Sequence, residues 1–149
     1  MNDAKTALGL KIRAIKKDKG WSWGDVASRL GQSTVWTTAA CLGQMTMSAD
    51  MAEKARLMFD LTEAEASLLQ EVPYRGSLPT AVPTDPLIYR FYELIQVYGT
   101  TWKELIHEEF GDGIMSAIDF DMTLERQPDQ KGDRVKIGMS GKFLAYKSY

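Results

Sequence analysis

Leu8, Ile12 and Ile15 recur at helical spacing near the start of the chain, with Lys11, Arg13, Lys16, Lys17 and Lys19 largely opposite them. This pattern predicts an amphipathic helix over residues 2–19. Gly20 ends it. Ser22 and Ser33 each stand just ahead of an apolar run, which predicts two capped helices, WGDVASRL and TVWTTAACL, separated by Gly31 and stopped by Gly43. Ser48 or Asp50 opens a fourth helix through Phe59, with Met51, Ala55 and Met58 inward. Thr62 and Glu65 form a capping-box pattern for a fifth helix, to Glu71. The methionines read as core packing rather than a cofactor pocket.

Between Val72 and Thr84 the periodicity stops, and Pro73, Gly76, Pro79 and Pro83 mark a linker. Domains are therefore expected at residues 1–75, a helical bundle, and 76–149, a smaller α+β unit. In the second, Thr84 is expected to cap a helix with Leu87, Phe91, Leu94, Ile95 and Tyr98 on one stripe. Gly99 is expected to end it, and Thr101 with Glu104 to cap a separate helix, TWKELIHEEF, closed by Gly111. Alternation from Ile114 to Glu125 predicts a strand, and residues 127–133 a turn or loop. Arg134 to Met139 and Lys142 to Tyr146 predict a hairpin about Ser140 and Gly141. Three short strands and two helices give a thin unit that is marginal alone, and oligomerisation would remedy that.

Composition adds few constraints. The chain has 149 residues, 44% hydrophobic and 26% charged, with a formal net charge of −2, all ordinary for a globular protein. Charge is uneven: nine Lys and Arg against six Asp and Glu in residues 1–60, and nine against fourteen in residues 61–149. A single cysteine, Cys41, excludes an intrachain disulfide, and one histidine, His107, leaves little for a zinc site. Asp119 and Asp121 lack the pattern of a calcium-binding loop. No apolar run is long enough to span a bilayer, and the N-terminus lacks a signal-peptide core. A cytoplasmic protein without membrane contact is expected. The basic, amphipathic N-terminus leaves a weak organelle-targeting reading open.

The two helices around Gly31 resemble the helix-turn-helix of phage repressors, which makes a DNA-binding regulator the runner-up function. A DNA reader presents side chains to base edges from its second helix, with Lys or Arg nearby for phosphates. From Ser33 to Leu42 no residue is charged, and Val35, Trp36, Ala39, Ala40, Cys41 and Leu42 suit burial instead. No nucleic-acid partner is expected.

From Pro83 to Phe120 the chain reads PTDP, YRFYE, QVYGTT and then HEEFGDGIMSAIDF. In order and spacing this succession resembles the central signature of the cyanases, the cyanate hydratases or lyases, with looser similarity toward both ends. The resemblance implies bicarbonate-dependent conversion of cyanate to ammonia and carbon dioxide through carbamate. Bicarbonate would be a co-substrate, with neither metal nor organic cofactor. It also implies a homo-oligomer, a pentamer of dimers whose C-terminal strands interlock. Carried over by motif, the catalytic residues are Arg90 and Glu93 of YRFYE and Ser116 of the segment GIMSAI.

Those residue types suit two anionic substrates. A guanidinium offsets the repulsion between cyanate and bicarbonate and stays charged at any working pH. A serine hydroxyl donates without adding negative charge. Glu93 either positions Arg90 or carries a proton, and the sequence leaves both roles open. Without the resemblance, Arg90 and Glu93 read as a surface ion pair at i,i+3. His107, beside Glu108 and Glu109 near its helix end, reads as a helix-dipole partner.

Overall fold

A computed structural model describes residues 3–149, which form two compact units, one up to Ser77 and one from Leu78. The first contains five helices: α1 Asp3–Asp18, α2 Trp23–Leu30, α3 Thr34–Cys41, α4 Ala49–Phe59 and α5 Glu63–Gln70. Residue 2, included in the sequence-predicted first helix, lies outside the described residues.

Local side chains set the helix starts. Ser22 Oγ accepts from the Asp25 amide at 3.0 Å while the Ser22 amide donates to Asp25 Oδ2 at 2.8 Å. Thr62 and Glu65 repeat this reciprocal box on α5. Ser33 and Ser48 cap α3 and α4 through single bonds from Trp36 and Met51. Each satisfies amides that a helix start otherwise leaves without a partner. Gly31 ends α2 in the left-handed region, at φ 76°.

Leu8, Ile12, Val26, Leu30, Ala52, Ala55 and Phe59 build the core, with Trp21, Met51 and Met58 packed against it. Phe59 is fully buried and meets the Trp21 ring edge-on at 6.0 Å. Truncating such a side chain to alanine costs about 3–5 kcal/mol. Polar bonds tie α1 to α5. Lys11 Nζ reaches both Glu65 oxygens, at 2.7 and 2.9 Å, and the buried Lys5 ammonium donates to the Glu71 carbonyl.

The second unit departs from the expected elements. Asp85, not Thr84, is the N-cap of its helix, because the Asp85 carboxylate reaches two amides, Leu87 and Ile88, at 3.0 Å each. Pro86 then takes the first helical position, where no N–H is needed. The helix, α6, runs unbroken from Pro86 to Phe110. Gly99 does not end it, and the expected capping box at Thr101 does not form, because Thr101 lies inside the helix. A glycine inside a helix costs only about 1 kcal/mol, less than stopping one helix and nucleating another. Gly111 does end it, its amide bonded to the His107 carbonyl at 3.0 Å.

Two long antiparallel strands follow in place of three short ones: β1 Gly113–Gln127 and β2 Arg134–Ala145. The hairpin turn falls at residues 128–133, not at Ser140 and Gly141. There Asp129 Oδ1 accepts from the Lys131 amide at 2.8 Å, Gly132 takes φ 122°, and Arg126 bridges to Asp133 at 2.8 Å. Ser140 and Gly141 instead sit within β2, paired with Asp121 and Phe120. Just beyond this pairing the register slips, between Met115 and Phe120. At the helix end, the Phe110 and Phe143 rings stand 5.2 Å apart and join α6 to β2.

No residue of α6 is buried within the chain. Leu87, Phe91, Leu94, Ile95 and Leu105 are all exposed, as are Ile118 and Val135 on the strands. A run of large apolar side chains of this extent on one element marks an association surface.

Candidate active site

The first turns of α6 bring Arg90 and Glu93 together. A separation of three residues puts them on neighbouring positions of one face, and Arg90 Nη1 donates to Glu93 Oε1 at 3.2 Å. Both side chains are open, at 67% and 45% exposure. The contact is single. The i,i+3 pair on α4 is held more firmly, with Arg56 gripping both oxygens of Glu53 at 2.7 and 2.8 Å. An exposed, one-point pair is worth only a few tenths of a kcal/mol. The Tyr89 and Tyr92 rings flank this stretch, 6.0 Å apart.

Ser116 lies elsewhere in the same unit, on β1, and is 6% exposed. No hydrogen bond or ion pair joins it to Arg90 or Glu93 among the described residues. Its Oγ accepts from two backbone amides, Ile118 and Asp119, each at 3.0 Å. A hydroxyl oxygen has two lone pairs, so both are used and the remaining capacity is its O–H donor. The fold thus holds Ser116 as a donor, the form that suits an anion.

His107 is near this strand without being part of either group. One ring nitrogen lies 3.3 Å from the Gly113 carbonyl and ties the last turn of α6 to the start of β1. A cavity of about 400 Å³ opens beside it, lined by Trp102, Lys103, Ile106, Ile114, Met115 and Tyr146 among others. Arg90, Glu93 and Ser116 are not among its lining residues, although Met115 is the immediate neighbour of Ser116.

Sequence reasoning missed the backbone closeness around Ser116. An ideal Cβ placed on Gly141 would fall 2.3 Å from the Ser116 carbonyl oxygen, and one on Gly113 would fall 2.3 Å from the Leu144 carbonyl oxygen. Glycine inside a strand pattern is the signal for such an approach, but Gly141 beside a serine reads equally as a turn.

Among the described residues no three His, Cys, Asp or Glu side chains gather as a metal site, and no helix is long and apolar enough to cross a membrane. In the first unit, α2 and α3 and the turn between them are consistent with a helix-turn-helix-like region. Thr37, Ala40 and Cys41 of α3 are buried and α3 carries no charge, so it brings no Lys or Arg to a phosphate.

Comparison with known proteins covers both units. Residues 5–73 match the family model described as cyanate hydratase, N-terminal, and residues 80–148 that of the cyanate lyase C-terminal domain. The cyanate hydratase of Polynucleobacter asymbioticus is 63% identical over 145 residues, covering 97% of this chain and 99% of that protein. That of Methylibium petroleiphilum is 65% identical over 139 residues, covering 93% and 95%. The crystal structure of cyanase from T. urticae superposes with a TM-score of 0.79 at 36% identity, covering 93% of this chain and 96% of that one. Fold and sequence together define a lyase of α+β architecture. The chain belongs to the cyanate hydratase, or cyanase, family.

Proposed function

We propose that this chain decomposes cyanate with bicarbonate to ammonia and carbon dioxide, and that Arg90, Glu93 and Ser116 carry the reaction. The observation that carries this reading is the nearly continuous PTDP to SAIDF succession, which holds a weakly engaged guanidinium and a hydroxyl with its donor left free in one unit.

Two unit anions about 4 Å apart repel by about 4 kcal/mol at an effective dielectric near 20. Arg90 offsets that repulsion, its planar donors matching carboxylate-like oxygens. Ser116 donates to one anion and adds no charge. A bicarbonate oxygen attacks the cyanate carbon, forming a new C–O bond and placing negative charge on nitrogen, which takes up a proton. That proton is the one bicarbonate brought, and as the resulting dicarboxylate loses carbon dioxide by cleavage of the former bicarbonate C–O bond its nitrogen takes up a second. Carbamate remains, and with a further proton its C–N bond breaks to give ammonia and a second carbon dioxide. Glu93 sits where it can orient Arg90 or carry one of these protons.

The reaction as written uses no metal or organic cofactor. The uncovered apolar side chains of α6 and the sheet support assembly, read here as a pentamer of dimers with interlocked C-terminal strands, working in the cytoplasm. Domain limits at residues 1–75 and 76–149 complete the reading. Ammonia release from cyanate, followed with and without bicarbonate after exhaustive chelation, tests the proposal. Bicarbonate-dependent release undiminished by chelation is expected, and release that needs added metal or ignores bicarbonate overturns it.

A further inference from the structure

We propose that Gly141 is a positioning residue for Ser116, its missing side chain letting β2 press against the segment of β1 that holds the serine hydroxyl. This rests on the reading of Ser116 as an active-site residue. The strand register supplies the first observation. Met115 pairs with Phe143 and Phe120 with Gly141, so residues 116–119 stand opposite Lys142 alone. Within this excursion the chain folds back on Ser116, whose Oγ gathers the Ile118 and Asp119 amides. Excursions of this kind re-aim side chains in sheets.

The second observation is the contact that closes the excursion. A Cβ on Gly141 would meet the Ser116 carbonyl oxygen at 2.3 Å and Met115 Cγ at 2.6 Å. Gly141 is not among the residues with positive φ, so its backbone conformation does not demand glycine. The demand is for space. The obstructing oxygen belongs to the backbone of the serine itself, and no change of rotamer removes it. Gly138, on the same strand, differs: a Cβ there would meet only Thr123 Oγ1, at 2.9 Å, which a side-chain rotation relieves. An alanine at 141 therefore forces the Ser116 backbone and β2 apart by about 1 Å, a displacement large enough to cost about a hundredfold in rate when it moves a substrate-contacting group.

The test compares Gly141→Ala, Ser116→Ala, the double variant and Gly138→Ala in the assembled enzyme. Gly141→Ala is expected to lower kcat about a hundredfold with assembly retained. The double variant should be no slower than Ser116→Ala alone, and Gly138→Ala should stay near the parent. Amide exchange adds a readout independent of turnover: the Ile118 and Asp119 amides should exchange faster in Gly141→Ala, approaching Ser116→Ala, and stay protected in Gly138→Ala. Independent, multiplying losses from Ser116→Ala and Gly141→Ala, or normal turnover of Gly141→Ala, overturn the positioning role while leaving Ser116 in the site. Normal turnover of Ser116→Ala overturns the reading of the serine itself. If Gly141→Ala chains do not assemble alone, they are refolded as a minority with parent chains. Mixtures that lose activity as Ser116→Ala mixtures do at the same ratio support the proposal, and mixtures that lose none overturn it.

Discussion

Arg90 meets Glu93 through one hydrogen bond of 3.2 Å on an open face of α6. So loose a partner leaves the other guanidinium N–H groups directed at solvent or at an anion. Lysine keeps the charge but presents no planar fork. Arg90→Lys is therefore expected to lower kcat by about a hundredfold or more, on the order of 3 kcal/mol of transition-state stabilisation, with oligomer size unchanged by sedimentation. Near-normal turnover in intact oligomers would remove Arg90 from the site.

One Arg90 beside one Glu93 supplies little net positive charge for two anions. Symmetry can multiply it, by bringing several copies of α6 around one cavity. An inactive Arg90 variant co-refolded with an inactive Ser116 variant should then recover part of the activity, through sites drawing intact residues from different chains. Well-formed mixed oligomers without recovery would show that each chain builds its own site.

Cys41 is 1% exposed, and burial pushes its thiol up to about 12. Only the thiolate reacts readily, so a thiol reagent at pH 8 should leave the folded protein unmodified and label it fully in denaturant. Fast labelling of the native protein would mean that the α3 face opens freely.

Glu65 is held below the usual carboxylate range, chiefly by its bond from Lys11 and next by the Thr62 amide. A lowered folded pKa stabilises the protein above the unfolded value, about 4.3, and that contribution is lost as pH falls through the folded value. Glu65→Gln should thus lower Tm at neutral pH, with the gap to the parent closing below about pH 4. A gap that persists unchanged at low pH would assign the effect to packing rather than charge.

Legibility followed the range of the forces involved. The Ser22 cap and the Thr62–Glu65 box close within a single turn, so the residues that make them are also the residues that announce them. The adjacency of Arg90 and Glu93 follows from helical spacing in the same way. Gly99 misled because one glycine is a weak stop against the continuous amphipathic pattern on either side. Ser140 and Gly141 misled because a small pair reads as a turn, whereas here Gly141 answers to Ser116 across the sheet. That relation lies outside any local window. The two amides on Ser116 Oγ depend on the register slip, which the alternation of β1 does not reveal.

The uncovered side chains of α6 have a consequence for time as well as shape. In the proposed assembly α6 is covered by other copies of the chain, so the last step in forming the working enzyme is second order in protein. For a dimeric step, each tenfold dilution removes about 1.4 kcal/mol of apparent stability. Activity recovered after unfolding should therefore lag the return of helical signal, and the lag should lengthen as the chain is diluted.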